Sequence, residues 1–202
     1  GIIGMTNIAL KNLDDREKVE SCLNKITAAS GHLLSLINEV LDMSRIESGR
    51  ISLKEENVHL PSLIGNLLSV IKPDMDKKGQ SLRMQSRILE HDTVISDTLH
   101  LQKILLNLLS NAVKYTQEGG EIRLLISELP MESDTIRMRF VVEDNGFGMS
   151  PAFLERIFLP FERAEDSRMN QVPGTGLGLA ITKSIVDLMG GLISVESREH
   201  EG

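Results

Sequence analysis

Leu105-Leu106-Asn107-Leu108-Leu109-Ser110-Asn111-Ala112-Val113-Lys114-Tyr115 is the stretch on which the reading of the fold turns. Ile104, Leu105, Leu108, Leu109, Ala112 and Val113 recur at threes and fours. That spacing predicts a helix from Leu99 to Lys114 with a broad buried face. Asn107, Asn111 and Lys114 fall at i, i+4 and i+7, so they share the opposite face, with Tyr115 beside them. Two amides and an ammonium in one stripe suit a magnesium-bound polyphosphate. Amide oxygens ligate a hard cation, and Lys meets phosphate as a point charge. On this stretch alone, a solvated polar face is the more ordinary reading.

Working outward, Ile136 to Glu143 alternates like a strand and runs into Asp144-Asn145-Gly146-Phe147-Gly148. Glycines permit positive φ and close backbone approach, and an aspartate at a strand end can accept a hydrogen bond from an adenine amino group. A plain strand-ending turn uses the same residues, and the two readings weigh about equally. Further on, Gly174-Thr175-Gly176-Leu177-Gly178 opens into a helix expected over Leu177 to Met189. Free N–H groups and the helix dipole make such a start a phosphate site, although a flexible hinge reads similarly. The spacing matches neither the dinucleotide fingerprint nor a P-loop. Phe158 and Phe161 read as core residues that also anchor a polar loop over 162–175.

The rest of the chain divides in two. Residues 2–13 and Glu17 to Glu47 carry helical apolar spacing, with a turn at Asp14-Asp15 and a stop at Ser48-Gly49. Two such helices form a hairpin that cannot cover its own apolar stripe, so a dimeric four-helix bundle is expected. After Gly49 strands and helices intermix. Strands are expected at Ile51–Leu53, Leu82–Met84, Thr93–Ile95, Glu121–Glu128, Ile136–Glu143 and Leu192–Glu196, and a helix starting at Pro61 runs through Ile71. The class is therefore α+β.

Composition narrows the function. The 202 residues carry a net charge of -7, which disfavours direct nucleic-acid binding. A single cysteine, Cys22, excludes an internal disulfide and a cysteine metal cluster. No apolar run reaches the length of a membrane span.

Taken in order, the Asn-rich helix, Asp-x-Gly-x-Gly, Phe-x-x-Phe and Gly-x-Gly-x-Gly closely resemble the sensor histidine kinases of two-component systems. Residues 105–115 resemble that family's N box, 144–148 its first glycine box, 158–161 its F box and 174–178 its second glycine box. The resemblance implies a dimerisation and histidine-phosphotransfer hairpin over 1–49. It implies a catalytic ATP-binding domain of the Bergerat α/β-sandwich type over 50–202. It also implies ATP or ADP with Mg²⁺ as ligands, and an ATP lid over 162–175. Asn111 would ligate the metal, with Asn107 supporting it. Lys114 and Arg168 would contact phosphate, and Tyr115 would lie against the adenine. Asp144 would bind the adenine amino group, with Gly146 and Gly148 shaping that wall. Gly174, Thr175, Gly176, Leu177 and Gly178 would line the phosphates. The implied partners are a second copy and a response-regulator receiver domain. The expected location is the cytoplasm, with or without a membrane anchor elsewhere in the parent protein.

The sequence departs from the family in one important way. The phosphoacceptor pattern His-Glu/Asp-x-x-Arg-Thr-Pro is absent, so no catalytic residue is expected within the chain. The acceptor is expected about two helical turns upstream, in a longer protein. His32, His59, His91, His100 and His200 lack the pattern and read as solvated or capping residues. Pro173 stands where the family often has Gly, and the closing Gly-Ser-x-Phe strand is missing, so the sheet is expected to lack an edge. The competing reading is a nucleotide-binding dimeric scaffold without phosphotransfer. A gyrase-like or chaperone-like ATPase ranks lower, because those use a carboxylate in the N-box helix where this chain has Asn107.

Overall fold

The computed structural model describes residues 1–49, 51–87, 90–130, 135–163 and 174–202. It divides into two compact units, Gly1–Arg50 and Ile51–Gly202.

The first unit is helical. α1 (Ile2–Leu10) ends three residues before the expected Leu13, and α2 (Arg16–Glu47) follows. The Asp15 carboxylate caps α2 by accepting from the Lys18 N–H at 3.1 Å. Lys18 Nζ also reaches the Asn12 amide oxygen at 2.9 Å, which pins the turn. At 1.5 Å per residue α1 is about 14 Å long and α2 about 48 Å, so α1 cannot cover α2 along its length. Ala9 and Cys22 are buried, whereas Leu33, Leu34, Ile37 and Leu41 of α2 are each roughly half exposed.

The second unit is α+β. It runs β1 (Glu56–His59), α3 (Leu60–Lys77), β2 (Ser81–Arg87), β3 (Thr93–Ser96), α4 (Thr98–Tyr115), β4 (Glu121–Pro130), β5 (Ile136–Asp144), the short α5 (Pro151–Leu154) and α6 (Gly178–Leu188). β1 pairs antiparallel with β3, Glu56 opposite Ser96. β2 pairs parallel with β4, Ser81 opposite Glu121, and β4 pairs antiparallel with β5, Ile122 opposite Asp144. One core joins Leu63, Ile64, Leu67 and Ile71 of α3, Leu101, Leu105 and Leu109 of α4, and Ile122, Leu124 and Ile126 of β4. α3 continues through Pro73 because Met75, a turn beyond Ile71, is also buried.

Two expected strands are absent. Residues 51–53 form no ladder, and strand pairing starts at Glu56 instead. The Lys54 N–H goes to the Asp97 carboxylate at 2.9 Å, so a side chain holds this entry. Residues 192–196 are likewise not a strand, and Leu192 is 90% exposed. Alternation marks which face could be buried, but a strand also needs a partner edge, and neither segment has one among the described residues.

Candidate functional site

The end of α4 is the centre of the site. Asp97 caps the start of this helix, accepting from the His100 N–H at 2.9 Å. Burial pushes the Asp97 carboxyl up, but the Lys54 and His100 N–H groups and the His100 ring outweigh it and hold it at about 2. At the other end, Lys114 Nζ lies 5.5 Å from the centre of the Tyr115 ring, within cation–π range. A Cβ added to Gly174 would sit 3.0 Å from Lys114 Nζ and 4.0 Å from the Tyr115 hydroxyl. The second glycine run therefore starts against the side chains that the helix presents. Burial pushes the Tyr115 phenol up, with the Arg163 charge pulling the other way.

The Asp-x-Gly-x-Gly turn closes on the same helix end. A side chain on Gly146 would overlap the Tyr115 carbonyl, and the Phe147 N–H donates to that carbonyl at 3.3 Å. Only a glycine allows this approach. Asp144 accepts from the Gly146 N–H at 2.9 Å. Burial pushes its carboxyl up, while that N–H acts against the shift. Gly148 has a φ of 64°, and a side chain there would overlap the Arg198 carbonyl.

Asn107 and Asn111 differ. Asn107 Nδ2 donates to the Thr182 hydroxyl on α6 at 2.8 Å, and a Cβ on Gly178 would sit 2.5 Å from Asn107 Oδ1. Asn107 and Gly178 therefore serve the α4–α6 contact. The Asn111 amide makes no hydrogen bond to any described residue and is half-buried.

The second glycine run is bent by Gly176, at φ 75°, whose carbonyl accepts from the Phe161 N–H at 3.0 Å. This bond joins the two ends of the loop. Phe161 itself corrects its reading as a core residue: it has φ 65° and is 68% exposed, while Ile157 supplies the buried contact. Leu177 is buried, and its N–H is held by the Thr175 hydroxyl at 3.1 Å. Its side chain thus belongs to the core, leaving only its backbone for a ligand. No side chain caps the start of α6. Arg168, Pro173 and most of the expected lid lie outside the described residues.

Two neighbours escaped the sequence reading: Thr182, which holds Asn107, and Lys78, whose ammonium meets carbonyls at the end of α4. Thr182 lies four residues after Gly178 on the buried face of α6, a spacing that could have revealed it. The histidines have local work. His59 caps α3, His91 Nδ1 meets Glu128 at 2.9 Å, and His100 meets Asp97, while His32 is exposed on α2.

Residues 96–202 match the family model described as histidine kinase-, DNA gyrase B-, and HSP90-like ATPase. The sensory/regulatory protein RpfC of Xanthomonas campestris pv. campestris is 36% identical over 204 residues, which cover 100% of this chain and 28% of RpfC. The signal transduction histidine-protein kinase BarA of Escherichia coli is 33% identical over 202 residues, covering 100% of this chain and 22% of BarA. The chain thus spans only a minor part of the curated relatives it matches. The crystal structure of full-length ShkA in complex with AMPPNP superposes with a TM-score of 0.73 at 29% identity, covering 92% of this chain and 37% of ShkA.

Proposed function

Because this chain belongs to the histidine kinase-, DNA gyrase B-, and HSP90-like ATPase family, we propose that it is the catalytic core of a two-component sensor histidine kinase. In this reading it binds Mg-ATP and directs the γ-phosphate to a histidine upstream of the chain. A response-regulator aspartate then takes the phosphate. The observation that carries the reading is the junction at the end of α4. The Lys114 ammonium, the Tyr115 hydroxyl and Gly174 meet on one side, and Gly146 and Asp144 back onto the same turn from the other.

The residues fit a nucleotide. Gly174 leaves room beside the Lys114 ammonium, and Gly146 lets the turn that carries the part-buried Asp144 carboxylate close onto Tyr115, so a polyphosphate and a base each have a complementary wall. When bound, ATP supplies the phosphoryl group to be transferred. Asp144 accepts a hydrogen bond from the base amino group, and Tyr115 covers its face. Lys114 neutralises phosphate charge, and the N–H groups that open α6 donate to phosphate oxygens. Among the described residues no three His, Cys, Asp or Glu side chains gather to hold a metal. The Asn111 amide oxygen would hold a cation together with phosphate oxygens, and the cation would supply charge neutralisation. Positioning and charge neutralisation supply most of the catalysis.

The exposed stripe Leu33, Leu34, Ile37 and Leu41 supports 1–49 as a dimerisation hairpin, and the family match over 96–202 supports 50–202 as the ATP-binding domain. No described helix is long and apolar enough to cross a membrane. The gyrase-like use of the fold is disfavoured, because Asn107 is an amide committed to Thr182.

A longer chain reaching upstream through a histidine with an acidic neighbour, incubated with γ-labelled ATP, tests the reading. Acid-labile, base-stable label on the protein is expected. Tight ATP binding with no labelled protein would overturn phosphotransfer and favour the scaffold alternative.

A further inference from the structure

The last carbonyls of a helix have no helical partners, and those of α4 are met by one side chain. Lys78 Nζ donates to the Val113 carbonyl at 2.8 Å, to Lys114 at 2.9 Å and to Thr116 at 3.1 Å. Its three protons thus have three acceptors, and its charge faces the negative end of the helix dipole. The remaining carbonyl of the turn, that of Tyr115, accepts from Phe147 of the Asp-x-Gly-x-Gly turn. Gln80 adds donations to Val113 at 3.0 Å and Thr116 at 2.8 Å, and the Gly119 N–H returns to the Lys78 carbonyl at 2.9 Å. Lys78 is itself the C-cap of α3, so one residue ties the ends of two helices together.

We propose that Lys78 is a positioning residue for the nucleotide, a clamp that fixes residues 113–116 so that Tyr115 and Asp144 form one wall for the base. This role rests on the nucleotide-binding reading above. Lys78 touches no proposed ligand group, and acts through the carbonyls on either side of Tyr115. Without the ammonium, those carbonyls lose a charged donor in a part-buried place, and the turn that carries Tyr115 and Thr116 loosens. A lysine ammonium sits on a long flexible stem, so the meeting of Lys114 with phosphate tolerates that loosening better than a flat base contact does.

Lys78→Met and Lys78→Arg are titrated calorimetrically with Mg-ADP and with Mg-tripolyphosphate, beside melting curves. Lys78→Met should weaken ADP by about tenfold, the worth of one charge-assisted hydrogen bond, and tripolyphosphate by less than about twofold. Lys78→Arg, which keeps charged donors, should recover most of the ADP affinity. Unchanged ADP affinity in folded Lys78→Met, or equal losses on both ligands, would overturn the proposal. Should Lys78→Met not fold, Lys78→Gln, which keeps two N–H protons, is judged by the same ratio. A wild-type chain that binds tripolyphosphate and not ADP would refute the base wall. One that binds neither would refute the nucleotide reading itself.

Discussion

Gly178→Ala separates packing from phosphate binding at the start of α6. The new methyl would stand 2.5 Å from Asn107 Oδ1 and 3.2 Å from its Cγ. Relief requires the amide to turn, which breaks its 2.8 Å bond to Thr182. Overpacking of this kind costs about 1–3 kcal/mol, and the lost hydrogen bond about 1 kcal/mol. Alanine is favoured over glycine within a helix by up to about 1 kcal/mol, which offsets part of this. The net is a destabilisation of about 2 kcal/mol, or a drop in melting temperature of about 4–8 °C for a chain of this size. The assay is a double-mutant cycle with Asn107→Ala, followed by thermal unfolding. Truncating Asn107 makes room for the methyl, so Gly178→Ala should be close to neutral in that background, with a coupling of about 1.5–3 kcal/mol. Equal effects of Gly178→Ala in both backgrounds would refute the claim that this glycine exists for the α4–α6 contact.

Other outcomes follow from the same geometry. Asp97→Asn should cost about 1–2 kcal/mol through the weakened α4 cap and the Lys54 contact. The folded Asp97 carboxyl sits at about 2, below its ordinary 3.8, so its contribution is fully present above pH 4 and is lost as pH falls through about 2. Flat thermal stability of the wild type from pH 4 to 2 would contradict this. Asp144 is shifted the opposite way, so its ionised form at neutral pH works against the fold. Asp144→Asn should therefore melt no lower than wild type at pH 7 while ADP affinity collapses; a lower melting point with retained affinity would reverse the assignment. Leu34→Glu with Leu41→Glu should give monomers by sedimentation if the exposed stripe is a dimer seam, and an unchanged dimer would count against the bundle.

Much of the secondary structure was legible because one-sided burial leaves a period. α3 and α4 face a shared core, and β4 and β5 alternate against it. The failures have local causes. Residues 51–53 and 192–196 alternate without an edge to pair with, whereas β1 carries one inward apolar residue, Val58, and gives almost no signal. Phe161 departs from the core because it sits at a turn with positive φ, and in sequence such an aromatic looks like any core aromatic. Of the candidate site, Gly178 and Asn107 stood out as a glycine and an amide, but their mutual contact spans 71 positions and leaves no local pattern. The Lys78 clamp is equally long-range, since an ammonium 35 residues from the first carbonyl it meets reads as an ordinary surface lysine.

The central claim is a magnesium-dependent adenine nucleotide site at the end of α4. Calorimetric titration of the wild-type chain and of Asn111→Ala with ADP, with and without Mg²⁺, tests it most directly. The account predicts saturable one-site binding by the wild type, strengthened by Mg²⁺, with that strengthening lost in folded Asn111→Ala. Equal affinities in all four titrations, or no binding by folded wild-type protein, would contradict it.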